Sequence, residues 1–497
     1  MFKQGPLSLG DTPFASPYDV VGKEECKNLY IEPSLSQEAK TKYVYVSVPG
    51  LRRWIGASSS QACRGLHRDG SGRLFGIFGN ELIEILSNGQ KLSRGNISTY
   101  SGTVNFASNS YQLMLVDGQY GYILDLATNN FSQIDPETFP NGATHVAYID
   151  TYFLVNRPNS QQYNWSYPGN GTIWDPLDFA TKEGSPDNIV AIKECNNQLW
   201  VFGTYSIEIH YNTGDTETQV WQRYQSAIID IGCIAKYSIA RAGDRIFWIA
   251  TDNNGEIGIF TNNNISPMKV STIGIEQVIQ EHGGDVSQAI GFTYAQDGHT
   301  FYVIQFMGSN LTLVYDLMTG KWHQRTYFNI TDSAGKEYKW QGIYSAFCFN
   351  RNIFGDMDTN AVYYTDMDYY RNDRPYESST PNYSDIKRVK TTPIQQSNQK
   401  RIRWNSLQII FRQGVGSPTA TDYTADPVAI LECSNDSGYS WATSRLTAII
   451  GRAGLTETRT RFVNLGTARN RVYKITITDP IPVVLVGLIA EFEELRS

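Results

Sequence analysis

The sequence predicts an all-β protein: a β-propeller of six or seven blades with a C-terminal β-sandwich domain. Three observations carry this. Strand–turn–strand units with period-two alternation recur along most of the chain, their starts roughly 40–55 residues apart, the spacing of blades built from four-stranded sheets. Aromatic residues make up 13% of the chain and 42 of its 497 residues are Gly, a composition that favours pleated strands joined by tight turns. Only 271–281 (STIGIEQVIQE) has the one-sided apolar spacing of a helix, at Ile275, Val278 and Ile279, with Thr272 placed to cap it.

Residues 1–50, rich in Pro, Gly and short polar stretches, predict an extended N-terminal arm. The propeller is expected over 51–370. Its first unit reads RLFGIF, Gly79-Asn80, ELIEIL, Asn88-Gly89, and its second YQLMLV, Asp117-Gly118, YGYILDL. Further units follow at 145–174, 189–221 (NQLWVFG, SIEIHY), 234–269 (DRIFWIA, EIGIF) and 290–322 (HTFYVIQ, LTLVYDL). Each closes on hairpin chemistry. A weaker copy at 343–370 makes a possible seventh. The same strands would also build one large sandwich or two, which is the alternative architecture. Residues 371–400 lack aliphatic periodicity and hold three prolines, predicting a linker or an inter-subunit loop. Strands resume in RWNSLQIIF, PVAILEC, RVYKITITD and PVVLVGLIAEF, predicting the sandwich over 401–497.

A chain of 497 residues, 41% hydrophobic and 18% charged, is too long for one ordinary core, so two or three domains are expected. The net charge of -7 excludes a global positive field for nucleic acid or anionic membrane. Six scattered cysteines without a CxxC pair predict free, mostly buried thiols and neither a zinc site nor a disulfide framework. The start, MFKQGPLSLGDT, has no apolar signal region, and the longest apolar run, 481–490, is too short for a membrane span. Charge is unevenly shared. Residues 385–475 hold fourteen Lys or Arg against six acids, a surplus of +8, which leaves -15 on the remainder. That split predicts a basic interface meeting a negative partner, with Lys387, Arg388, Lys390, Lys400, Arg401 and Arg403 as its candidates.

No nucleophile, base or metal set can be assembled, so no catalytic residue, metal ligand or cofactor is assigned. GxxxxGK[ST], HExxH and GxSxG are absent, the six histidines do not pair at metal spacing, and 252–256 reads as an acidic hairpin turn before it reads as a calcium loop. The sharpest enzymatic hint is Ser434, Asp436, Gly438 and Trp441, an S-x-D-x-G-x-x-W pattern found repeatedly in sialidase-like propellers. It occurs once, outside the repeats, without an arginine triad or tyrosine nucleophile. It therefore reads as a turn device, in which Asp436 accepts backbone hydrogen bonds, Gly438 takes a positive φ and Trp441 packs beneath.

Several patches in one order resemble a known family. NLYIEP (28–33) with VPGLRRW (48–54), PDNIVAIKECNNQLWVFGTYSIEIHYNTGD (186–215), ISPMKVSTIGIEQVIQ (265–280), and AILECSNDSGYSWATSRL (429–446) with NRVYKITITDPIPVVLVGLIAEF (470–492) are similar to the packaged-DNA stabilisation proteins, or tail-hub proteins, of short-tailed bacteriophages. The resemblance implies a structural virion protein, made in the host cytoplasm and built into the tail. It implies a homo-oligomeric ring, a hexamer, below the portal and its adaptor ring protein. The ring would contact a tail needle, spike or fibre and act as a nozzle. It would retain the packaged genome and let double-stranded DNA pass at ejection without sequence-specific binding. An acidic, weakly sticking lining suits such a conduit. The alternatives are a sialidase-like glycan hydrolase and a propeller receptor-binding module.

Overall fold

A computed structural model describes residues 3–10, 24–33, 42–215, 219–251, 255–328, 336–416, 425–455 and 457–495. Residues 252–254 of the acidic turn lie outside the described residues. Seven sets of four antiparallel strands follow one another: blades 1 to 6 cover 63–96, 105–133, 146–181, 189–229, 240–269 and 290–324. Six of the seven sets are separate sheets, while blade 6 continues into a larger one. Blade 1 shows how the sequence makes a unit. Leu74–Phe78 and Glu81–Ile85 pair across Gly79-Asn80, and Gly79 takes φ 60°, which a two-residue hairpin turn requires and glycine adopts without strain. Leu74–Phe78 is buried at all five positions. It is a continuous apolar run because neighbouring blades cover both its faces. The expected two-residue alternation therefore fails in the middle strands.

Blade 7 consists of Gly342–Cys348, Arg351–Asp356 and Val362–Asp366, with Gly50–Ile55 as its outer strand. The repeat at 343–370 is weak in sequence because its fourth strand comes from residue 50 onward. Apolar clusters lie between every successive pair of blades. Phe75 and Leu115 join blades 1 and 2, and Cys63 and Ile353 join blade 7 back to blade 1, closing the circle. The helix Ile273–His282 forms with Thr272 accepting a hydrogen bond from the Ile275 amide, and buries Ile275 and Ile279 between blades 5 and 6.

The C-terminal strands form a sandwich with two corrections to the expected organisation. The described strands of the expected extended arm, 1–50, are built into the sheets. Leu29–Pro33 and Tyr43–Ser47 join one sheet beside Val484–Glu494, Ile402–Phe411 and Thr460–Val463, and Lys3–Leu7 also pairs with Val484–Glu494. The segment 371–400 is likewise not a free linker. Arg371–Asp373 pairs with Tyr383–Asp385, and Arg388–Thr391 lies inside the second sheet between Cys26–Lys27 and Val472–Ile477. These strands are two to five residues long, and the partners of Lys3–Leu7, Cys26–Lys27 and Arg388–Thr391 lie far away in sequence, so local periodicity cannot announce them. The second sheet is continuous with blade 6, because Cys26–Lys27 pairs in parallel with Lys321–Gln324. Asn28 rivets that junction. At φ 54°, its amide donates to the Gln324 carbonyl at 2.8 Å. Its side chain donates to the Lys387 carbonyl at 2.8 Å and the Thr326 hydroxyl at 2.9 Å, and accepts from the Thr326 amide at 3.0 Å.

Candidate functional site

The six basic candidates separate into three groups. Arg388 and Lys390 are fully buried. Arg388 donates to the carbonyls of Asp479 (2.9 Å) and Ile386 (3.1 Å), and burial lowers its pKa to about 10. Lys390 lies 3.6 Å from Glu24 and over the Tyr45 ring. Both hold the sandwich together and cannot present charge to a neighbour. Lys387 shares Glu337 with Lys27, at 2.8 and 3.1 Å. Lys400, Arg401 and Arg403 remain at the surface, where Ile402–Phe411 begins with alternating exposed and buried positions. Lys400 reaches Glu494 at 3.2 Å, and Arg403 stands opposite Glu493 in the ladder. This corner is the surviving basic surface, and part of its charge is already matched within the chain.

The Ser434–Trp441 segment is a self-contained turn. The Ser434 hydroxyl donates to Asp436 at 2.6 Å and accepts from the Gly438 amide at 2.9 Å. Asp436 also accepts from the Ser440 amide at 2.9 Å and from its hydroxyl. Hydrogen bonds from Ser434 and Ser440 hold the carboxyl down at about 2. Lys474 sits over the Trp441 ring at 4.3 Å. With every acceptor lobe engaged by its own turn, Asp436 is placed for folding and not for chemistry. Gly438 has φ 97°, so Gly438→Val is expected to cost about 1–2 kcal/mol. A denaturation midpoint equal to that of the native sequence would show that the turn does not need this conformation.

Two buried constellations were not legible in the sequence. His299 in blade 6 bonds Asp316 through Nδ1 at 2.8 Å and Glu32 through Nε2 at 2.6 Å. Burial opposes its charge, but the bonds to the two carboxylates win and raise its pKa to about 9. Glu32 belongs to the strand Leu29–Pro33, so a histidinium ties the N-terminal strands to the propeller. In blades 3 and 4, Tyr163, His210 and Glu208 form a chain with steps of 2.9 and 3.0 Å. Glu208 and His210 face a groove of about 800 Å³ also lined by Tyr152, Trp165 and Trp221. Glu208 accepts from His210 and from the Gly184 amide, and these contacts outweigh burial and lower its pKa. A glycosidase acid needs the opposite shift, so the triad reads as a buried polar network. Among the described residues no group of three or more His, Cys, Asp or Glu could hold a metal ion, and no helix is long and apolar enough to cross a membrane. All six cysteines are free. Beside the groove, the long outer strand Asn170–Thr181 exposes Ile173, Leu177 and Phe179, with Leu177 80% exposed.

A family model described as the bacteriophage P22 Gp10 β-propeller matches residues 28–370. No curated protein matches the chain. Among solved structures, the Pan2 WD40 domain of Neurospora crassa aligns at 10% identity and TM-score 0.38, over 61% of this chain and 89% of that one. BamB of Moraxella catarrhalis aligns at 9% and 0.38, over 68% and 94%. The computationally designed protein Ika8 aligns at 10% and 0.37, over 63% and 100%. At those scores the three likenesses carry no argument about function.

Proposed function

The chain belongs to the phage-stabilisation family of the bacteriophage P22 Gp10 β-propeller, and from that premise we propose that it is the ring-forming hub subunit that closes the DNA channel of a short-tailed phage. Membership makes it a structural component of a phage tail. The finer reading is a homohexameric nozzle joined to the portal-adaptor ring, in contact with needle, spike or fibre proteins, that retains the packaged genome until ejection.

The family match over 28–370 carries this reading, and three features support it. Blade 6 and the sandwich share one nine-stranded sheet, which suits a rigid building block. The exposed apolar strip of Ile173, Leu177 and Phe179 is what a subunit presents to an assembly. The cavity on the propeller axis, about 240 Å³, has room for waters and small ions. A duplex, whose major groove alone is about 12 Å wide, must pass outside the chain, through the hole of a ring. Electron microscopy of the purified chain tests this: six-fold rings are expected, and a monomer that hydrolyses host polysaccharide would overturn the reading in favour of an enzyme.

The basic corner is the proposed ring-to-ring contact. Lys400, Arg401 and Arg403 all changed to Glu is expected to give a chain that folds but fails to join the tail, while joining by the native chain weakens with added salt. Normal incorporation of the triple variant would remove this corner from the interface.

A further inference from the structure

The innermost strands of the blades enclose a cavity on the propeller axis, and its lining is chemically one-sided. Lys193, Arg241, His67 and His145 face it, together with Asn105 and Tyr344, and no carboxylate does. The acid nearest in sequence, Glu194, is bonded to Arg241 and to the Asn197 amide. Its charge is therefore spent on the blade edge. The histidines are satisfied by protein. His145 donates Nε2–H to the Lys236 carbonyl at 3.0 Å, and His67 bonds the Ser108 hydroxyl at 2.9 Å.

Lys193 differs from these neighbours. Its ammonium makes no hydrogen bond or ion pair with any described residue. Burial, offset in part by Glu194 and reinforced by Arg241, lowers its pKa. After burial, Lys193 is among the charges that hold His145 down at about 3, and it also lowers His67, which burial brings to about 4. A charge set deep in a protein is normally matched by a counter-charge. Here the protein supplies only Glu194, whose oxygens are taken by Arg241 and the Asn197 amide, and the space in front of the ammonium is open.

We propose that the axial cavity is a binding site for a phosphate-class oxyanion, with Lys193 as the group that neutralises it. An oxyanion supplies the missing negative charge and several acceptor atoms for the Lys193 ammonium. A cavity of about 240 Å³ admits such an ion and excludes a duplex. The ion closes the blades around their common axis, because the lining comes from blades 1 to 7. Binding is therefore linked to the stability of the whole ring of blades.

The test is a titration of the full chain with inorganic phosphate against chloride at equal ionic strength, read by ³¹P line broadening and by thermal midpoint. Broadening and an upward shift are expected. Lys193→Met should abolish both and raise the midpoint in phosphate-free buffer, since an uncompensated charge is gone, while Lys193→Arg should retain binding. A second arm uses a 5′-phosphorylated dinucleotide. Binding of phosphate alone marks a free-ion site, and binding of both marks a site open to the terminal phosphate of a strand; either supports the oxyanion class. Absence of broadening and shift with both probes on the native chain overturns the proposal whatever the variants do. Undiminished phosphate binding by Lys193→Met overturns the placement of the site.

Discussion

Leu51→Asp is expected to open the propeller. Leu51 has no exposed surface and lies in the strand Gly50–Ile55, which completes blade 7, with its side chain in the cluster between blades 6 and 7. Its amide donates to Asn372 Oδ1 at 3.0 Å. Truncation to Ala should cost about 2–5 kcal/mol by the cavity it leaves. An Asp there must be buried neutral, and protonating a carboxyl whose unfolded pKa is about 3.9 adds ~4 kcal/mol at pH 7. Typical domain stabilities are about 5–15 kcal/mol, so Leu51→Asp should abolish most soluble, protease-resistant protein, while Leu51→Ala survives with a lowered midpoint. A Leu51→Asp chain as resistant to proteolysis as the native one would mean that blade 7 closes without this strand.

The second large effect is pH-dependent. His299 is raised from its ordinary value of 6.5 to about 9 by its two carboxylate partners, which outweigh burial. A group whose pKa is higher in the folded state stabilises fully below its unfolded value. The His299 contribution should therefore be complete below about pH 6.5 and fade as pH rises through 9. His299→Ala leaves Asp316, 1% exposed, without its cation, and should cost about 3–5 kcal/mol near neutrality. Urea midpoints of both chains between pH 6 and 10 should converge at the alkaline end. A gap that stays constant with pH would show that His299 acts through packing and not through its charge.

Sequence periodicity was sufficient for the blades because hairpins are local: Gly79-Asn80 and its flanking apolar runs lie within fifteen residues. It was insufficient wherever pairing is remote. Gly50–Ile55 meets Val362–Asp366, and Cys26–Lys27 meets both Lys321–Gln324 and Arg388–Thr391. Cys26–Lys27 looked like part of an arm and Arg388–Thr391 like part of a linker. Charge counting failed at Arg388 and Lys390 for a related reason. Their strand lies inside a sheet, where a basic residue can be covered by carbonyls or an aromatic ring. The Asp436 turn was legible because all its bonds fall within a few residues. The His299 pair was not, because Glu32 lies 267 residues away.

The remote pairing of the first strands also sets a clock for biosynthesis. Lys3–Leu7 and Tyr43–Ser47 have Val484–Glu494 as a partner, which is made more than 430 residues after them. At about 5–20 residues per second the early strands wait ~20–90 s for it. Throughout that time Lys3–Leu7 and the edge of Tyr43–Ser47 that faces away from Leu29–Pro33 lack this partner and are open to pairing with the same segment of another nascent chain. Blades 1 to 6 can form during synthesis, since their hairpins are local. Blade 7 can close once Val362–Asp366 has emerged to meet Gly50–Ile55, and the sandwich only once Val484–Glu494 has followed. Early strands therefore wait for a late one, and the yield in cells should depend on whatever shields Lys3–Leu7 and Tyr43–Ser47 during translation.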